Sequence, residues 1–178
     1  MLAGSHVAKT TSQLVALIIN SASKVTHVAL DVPALLASPE GRDAAIAAAL
    51  AQTETELARG QDVLVMTSRK LVAGATAAES LDIAAGVAAA LVEFMRRLSV
   101  RPRYVIAKGG ITASDVATKV LGMRRALVVG QASSGVPLWR CDDEDARWPG
   151  MPFVVFPGNV GSTESLFYLV KGWRPPAS

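Results

Sequence analysis

The chain has 178 residues, of which 51% are hydrophobic and 19% charged, and its formal net charge is +3. This length and apolar content fit one ordinary domain with a continuous core and exclude an intrinsically disordered chain. The scattered basic residues and the few aromatic ones argue against nucleic acid as a partner. Cys141 is the only cysteine, which excludes an internal disulfide and agrees with a reducing compartment.

Neither a membrane span nor a secretion signal is evident in the sequence. The longest nearly apolar run, residues 83–92, is bounded by Asp82 and Glu93 and is too short to cross a bilayer. No basic segment followed by a cleavable apolar stretch opens the chain. We therefore expect a cytoplasmic protein without a membrane partner.

In chain order, short β-like runs alternate with amphipathic helical patterns. Runs rich in β-branched residues and bounded by turn signals predict buried strands at residues 25–30, 62–66, 103–107, 126–129 and 153–156. Apolar residues at helical spacing predict helices at 11–22, 43–58, 81–98, 115–121 and 164–170. Asp31 is either a ligand-facing carboxylate at a strand end or the N-cap of a short helical turn that contains Pro33.

Strands separated by helices of this length predict right-handed βαβ crossovers. The expected fold class is α/β: a three-layer arrangement of a mostly parallel sheet flanked by helices on both faces. No repeat or linker divides the sequence, so we expect one nucleotide-binding domain over residues 1–174 and a frayed tail at 175–178. Residues 1–3 resemble the end of a strand, which suggests that a preceding part lies upstream or on another chain.

Three glycine-bearing turns follow strand-like runs and precede helices. They are AGSHVAKTT at 3–11, KGGITASD at 108–115 and FPGNVGSTES at 156–165. Ligands of open parallel sheets bind at the carboxyl ends of the strands, and glycine lets the backbone approach a ligand closely. Helix N-termini add unpaired N–H groups and a positive dipole end. The three turns together therefore predict a phosphate-binding cradle.

A purely structural role for these turns stays open. Thr112 and Asp115 fit a variant of the capping box, and a strand–glycine–helix turn also serves simply to redirect the chain. The sequence contains neither the P-loop pattern nor the GxGxxG fingerprint, which disfavours a Walker-type ATPase and a dinucleotide dehydrogenase.

Other polar residues are weaker candidates for chemistry. Ser5 beside His6 lies outside a GxSxG pattern, so a serine hydrolase is a minor alternative. The acidic run CDDEDARWPG at 141–150 is expected to be a solvated connection, because consecutive residues rarely face one ion, and no metal site is predicted. Lys108 directly precedes the double glycine, where it would either meet a phosphate or form a salt bridge.

Four segments, in this order, carry a resemblance to a known family: GSHVAKTTSQL, AKGGITASDVATKVLG, VVGQASSGVPLW and PFVVFPGNVGS. Together they resemble the C-terminal, nucleotide-binding domain of the four-carbon acid sugar kinases, over nearly the whole chain. In these two-domain kinases the N-terminal domain carries a DDxTG-type motif and the sugar-acid site, and the C-terminal domain holds ATP. They phosphorylate threonate, erythronate or 3-oxo-tetronate at the terminal hydroxyl.

The resemblance implies that one set of residues binds the nucleotide. That set is Ser5, Gly109, Gly110, Ile111, Thr112, Gly130, Gln131, Gly158 and Asn159. Residues 109–112 would form the loop at the phosphates, and Gly130 and Gln131 would line the same edge. ATP with Mg²⁺ is the implied cofactor, and ATP and ADP are the implied partners.

One departure from the family separates two hypotheses. The sequence has no DDxTG motif and no evident catalytic base, so the catalytic residues stay unknown and the sugar acid is expected to bind only with a substrate domain. The first hypothesis is the ATP-binding domain of a sugar-acid kinase. The alternative is a non-catalytic nucleotide-binding or interaction module of the same fold. A homo-oligomer is left open, because the Ala-rich helix at 81–98 would face either a core or a partner.

Overall fold

The structure, a computed structural model, describes residues 1–4, 7–22, 24–68, 72 and 74–174. Its strands are β1 (Leu2–Ala3), β2 (Val25–Leu30), β3 (Asp62–Thr67), β4 (Val105–Lys108), β5 (Ala126–Ser133), β6 (Val136–Cys141) and β7 (Pro152–Phe156). Its helices are α1 (Ala8–Asn20), α2 (Val32–Ala37), α3 (Pro39–Ala58), α4 (Ala77–Arg97), α5 (Gly110–Asp115) and α6 (Ser165–Trp173). Helix α5 passes directly into a π-helical turn, Val116–Val120.

Seven strands form one sheet in the order β2-β3-β1-β4-β7-β6-β5. The first five are parallel to one another, whereas β6 and β5 are antiparallel at one edge. Strand β1 is only two residues long, yet it lies in the middle of the sheet between β3 and β4. The predicted mostly parallel α/β sheet is confirmed.

Helices cover both faces of the sheet, each over its own apolar cluster. On one face Ile46 and Leu50 of α3 pack in the same buried cluster as Leu91 of α4 and Val116 of the π-helical turn. On the other face α1 and α6 bury Leu14, Leu17 and Leu166 against the sheet. This arrangement is the predicted three-layer architecture.

The sequence-based prediction was wrong about the edge of the sheet. Residues 126–129 were expected to form a buried strand, but β5 is an edge strand in which Leu127, Val128 and Val129 are 44%, 65% and 55% exposed. Strand β6, its hairpin partner, was not predicted. The two strands are joined by a tight turn at Ser134 and Gly135, where Gly135 has a φ of +71°. A short apolar run looks the same whether its strand is central or at an edge.

Polar caps set the helix boundaries. The Asp31 carboxylate accepts a hydrogen bond from the Ala34 N–H, so Asp31 caps α2 as one of the two alternatives proposed. Thr76 and Glu79 form a complete capping box at the start of α4. The predicted capping box of Thr112 and Asp115 is wrong, because α5 already begins at Gly110 and its N-terminus has no side-chain cap.

Candidate functional site

A cavity of about 880 Å³ opens at the carboxyl ends of β1, β4 and β7. One side is polar backbone from the glycine turns: Gly4, Gly109, Gly110, Thr112, Gly158 and Asn159. An apolar wall forms much of the remaining lining and consists mainly of Ile83, Ala84, Val87, Ala88 and Leu91 from α4. A cavity with one amide-rich side and one apolar side suits a ligand that has an anionic end and a flat apolar end.

The double glycine starts α5 at the floor of the cavity. Gly109 has a φ of +115°, a conformation that a residue with a side chain adopts only under strain. Its N–H donates to the carbonyl oxygen of Phe156 at 2.9 Å, which fastens the end of β4 to the end of β7. The next three amides, those of residues 110–112, belong to the first turn of the helix, whose N–H groups have no intrahelical acceptor.

Neither the packing nor the backbone conformation of the protein requires a glycine at position 110. A Cβ added at Gly110 would meet no atom within 4 Å, and Gly110 is not among the glycines with positive φ. Gly4 is different, since its Cβ would lie 2.5 Å from Cδ1 of Leu91. The space beside Gly110 is therefore free for a ligand to approach the backbone.

The third turn brings Gly158 and Asn159 to the same cavity. It follows β7, which is parallel to β4 with Phe156 opposite Lys108, so the two glycine turns leave the sheet side by side. The structure thus brings together six of the residues named by the resemblance, namely Gly109, Gly110, Ile111, Thr112, Gly158 and Asn159.

Of the remaining three residues of that set, two lie in an edge strand and one lies outside the described residues. Gly130 and Gln131 do not line this cavity; they belong to edge strand β5, where the Gln131 side chain accepts a hydrogen bond from the Gly135 N–H at 3.1 Å. The motif VVGQASSG forms a hairpin, and its glycine and amide stabilise that turn. Ser5, with its neighbour His6, lies outside the described residues.

Lys108 does not face the cavity. Its side chain is fully buried, donates a hydrogen bond to the Pro157 carbonyl oxygen and lies 4.1 Å from the centre of the Phe156 ring. Neither of the roles expected for it, a phosphate contact or a salt bridge, describes these contacts. Burial, with a smaller contribution from the charge of Lys9, lowers the pKa of Lys108 from 10.5 to about 8.

The acidic run at 141–150 is tied to the protein through Asp143. Two nitrogens of the Arg124 guanidinium donate to the two oxygens of the Asp143 carboxylate, each at 3.0 Å, and this pairing holds the pKa of Asp143 well below its usual range. Among the described residues, no group of three or more His, Cys, Asp or Glu side chains is placed to hold a metal ion.

A family model described as the nucleotide-binding C-terminal domain matches residues 1–166. The chain belongs to this family. Its resemblance to the C-terminal domain of the four-carbon acid sugar kinases is thereby confirmed. None of the helices in the described part of the chain has the length and apolar content of a membrane span.

One curated relative is 3-oxo-isoapionate kinase of Paraburkholderia graminis. It is 31% identical over 157 residues, which cover 82% of this chain and 33% of that protein. The chain therefore spans about a third of the length of the kinase that it matches.

Solved structures share the fold. A domain of unknown function from Bordetella bronchiseptica, crystallised with citrate as a domain-swapped dimer, is 24% identical with a TM-score of 0.69, covering 93% of this chain and 39% of that one. A protein of Haemophilus influenzae is 19% identical with a TM-score of 0.67, covering 97% of this chain and 39% of the other.

Sequence reasoning missed the apolar wall of the cavity. The helical stripe of α4 was expected to face either a core or a partner, and Val87, Leu91 and Val92 are buried in the core. Ile83, Ala84 and Ala88 extend the stripe beyond the part that packs on the sheet, and they line the cavity instead. The available signal was the width of the stripe, which exceeds what one buried face requires.

Gly110→Ala is expected to separate binding from folding. The added methyl group would stand in open space, so the free energy of unfolding should be unchanged or higher by up to about 1 kcal/mol, as for other glycine replacements in helices. The same methyl group would keep a phosphate from the backbone, so we expect nucleotide affinity to fall at least about tenfold. Calorimetric titration with ADP and denaturant unfolding measure the two quantities.

Gly172→Ala is the matched control, because a Cβ at Gly172 of α6 also meets no atom within 4 Å and Gly172 does not line the cavity. It should change stability by a similar amount and leave ADP affinity unaltered. Equal ADP affinity in wild type and Gly110→Ala would contradict the assignment of Gly110 to the binding surface.

Lys108→Met tests the buried ammonium group by its pH dependence. Because the pKa of Lys108 is about 8 in the folded protein and about 10.4 in an unfolded chain, the unfolded state binds more protons between these values. The free energy of unfolding of the wild type should therefore rise relative to that of Lys108→Met as the pH increases from about 8 towards 10. Denaturant titrations of both proteins at several pH values give this difference, and a difference that stays constant with pH would refute the lowered pKa.

Proposed function

We propose that the chain is the ATP-binding domain of a kinase that phosphorylates a four-carbon sugar acid, such as threonate, erythronate or 3-oxo-tetronate, at its terminal hydroxyl. Family membership supports nucleotide binding, and the name of the Paraburkholderia relative supports a sugar-acid kinase. The phosphoryl acceptor and its site are proposed to belong to a substrate domain. In this proposal residues 1–174 act as one nucleotide-binding domain.

The observation that carries the proposal is the set of backbone amides on one side of the cavity. The amides of Gly110, Ile111, Thr112, Gly158 and Asn159 have no acceptor among the described residues, and all five residues line the cavity. Amides from a helix N-terminus and from a neighbouring loop form a site suited to phosphate oxygens. We infer that they bind the phosphates of ATP and that the nucleoside lies against the apolar wall of α4.

Mg²⁺ is proposed to bind together with the nucleotide. Kinases usually hold this ion with one or two carboxylates and the substrate phosphates. Asp115 is the one carboxylate among the described residues that line the cavity, so it is the residue we would assign to the ion, which would replace Lys119 as its partner. The ion would supply positive charge to the phosphates.

The contribution of this chain to phosphoryl transfer would be binding and orientation of the donor. Fixed amides that already point at the phosphates need no reorganisation when charge shifts during transfer. Gly130 and Gln131 have no part in this arrangement, and a contact from Ser5 stays a hypothesis. Homo-oligomerisation and a cytoplasmic location also stay hypotheses.

Thermal unfolding with nucleotides tests the proposal. ADP or ATP should raise the melting temperature, since a ligand at a hundred times its Kd stabilises the native state by about 2.7 kcal/mol. Adenosine should give a smaller shift because it cannot use the amides. If Mg²⁺ binds through the nucleotide, it should increase the shift with ATP and have no such effect alone.

The alternative is a non-catalytic nucleotide-binding or interaction module, and its second form, an interaction module that keeps the turns for structural reasons, predicts a different outcome. In that case millimolar ADP and ATP would leave the melting temperature unchanged with and without Mg²⁺. That result would contradict the kinase proposal, but it would not affect the family membership or the fold of the chain.

A further inference from the structure

The loop after β7, residues 157–162, is held by side chains that donate hydrogen bonds to its carbonyl oxygens. Four donors outside the loop take part, and their bonds run from Lys108 Nζ to Pro157 O, from Thr10 Oγ1 to Gly158 O (3.1 Å), from Gln13 Nε2 to Val160 O (2.9 Å) and Ser162 O (2.8 Å), and from Lys9 Nζ to Gly161 O (3.2 Å). Lys9, Thr10 and Gln13 come from α1, and Lys108 ends β4.

The direction of these carbonyls fixes the direction of the amides. In a planar trans peptide the C=O of one residue and the N–H of the next point in opposite directions, and the described part of the chain contains no cis peptide. Because Lys108 Nζ and Thr10 Oγ1 bind the carbonyl oxygens of Pro157 and Gly158, the N–H groups of Gly158 and Asn159 point away from these two donor atoms. Gly158 and Asn159 line the cavity.

We propose that Thr10, Gln13 and Lys108 are positioning residues for nucleotide binding: they hold the loop by its carbonyl oxygens so that the amides of Gly158 and Asn159 face the phosphates. This inference rests on the proposed function, because it requires a phosphorylated ligand in the cavity. Thr10, Gln13 and Lys108 lie within the segments that carry the family resemblance, but the resemblance gives them no role and none of them lines the cavity.

Burial shows that these residues act indirectly. The side chains of Thr10, Gln13 and Lys108 are all fully buried, and none of the three lines the cavity. Gln13 uses its amide nitrogen on two carbonyls that flank Gly161, whose φ of +83° bends the loop between them. A loop fixed in this way pays less ordering entropy when the ligand binds.

Thr10→Val removes the hydroxyl donor and keeps the shape of the side chain. We expect it to weaken ADP binding about five- to twentyfold, because one hydrogen bond that orients the amides is lost. Adenosine binding should change less than about twofold, because adenosine lacks the groups that the amides bind. Thr10→Ser restores the hydroxyl and should return ADP affinity to near the wild-type value. NMR titrations measure both affinities, including weak ones in the millimolar range.

Thr53→Val is the matched control. Thr53 is also a buried threonine on a helix, its hydroxyl has no partner among the described residues, and it lies in α3 on the opposite face of the sheet. It should leave both affinities unchanged. Lys108→Met provides a second variant with the same expected loss for ADP, so the test stands if Thr10→Val does not fold.

The outcomes test the positioning role and the proposed function separately. Selective loss of ADP affinity supports the positioning role. Equal losses for ADP and adenosine, or no loss for either, would overturn it while the nucleotide site stands. A wild-type protein that binds no ADP would overturn the proposed function itself, and the positioning role with it.

Discussion

The hydrogen bond from the Gly109 N–H to the Phe156 carbonyl oxygen is the contact on which the site depends. It extends the pairing of β4 with β7 by one residue beyond Lys108 and Phe156. Two turns that are far apart in the sequence therefore begin from one fixed point. If one of these strands shifted its register by one residue, its side chains would change faces, and the two sets of amides would no longer meet.

The two sides of the cavity differ in how the sequence produces them. The polar side uses backbone, so its chemistry depends on glycine conformations and on the direction of peptide planes rather than on charged side chains. The apolar side uses the face of α4 that continues past the sheet, where Ile83, Ala84 and Ala88 remain uncovered by other helices. A nucleotide has matching parts, since its phosphates are anionic and its base presents a flat, largely apolar face.

Much of this arrangement could be predicted from the sequence, and the reasons are local. Strands β3 and β7 contain continuous apolar runs at residues 63–66 and 153–156, and the glycine turns mark where strands end, so the edge that carries the site was identifiable. Helices α3 and α4 begin four residues earlier than predicted, at Pro39 and Ala77, because Ser38 and Thr76 cap first turns that lie before the apolar stripe. The hairpin of β5 and β6 was missed because strand order depends on long-range pairing, which no local pattern contains.

The directions of several side chains could not be predicted from the sequence either. Lys108 stands next to the double glycine in the sequence, yet its ammonium group turns into the protein and bonds to Pro157. Thr10 and Gln13 lie in the segment GSHVAKTTSQL, but no local pattern indicates their contacts, because their partners are carbonyl oxygens almost 150 residues away. Contacts of this kind follow from the packing of α1 beside the end of β7.

The central claim is that backbone amides from two turns bind the phosphates of one nucleotide, and an amide NMR titration with ADP tests it most directly. The account predicts the largest changes in chemical shift, with slowed hydrogen exchange, at Gly110, Ile111, Thr112, Gly158 and Asn159. Amides of α6, such as that of Gly172, should stay unchanged. Perturbations concentrated in the β5–β6 hairpin around Gly130 and Gln131, with the five amides unaffected, would contradict it.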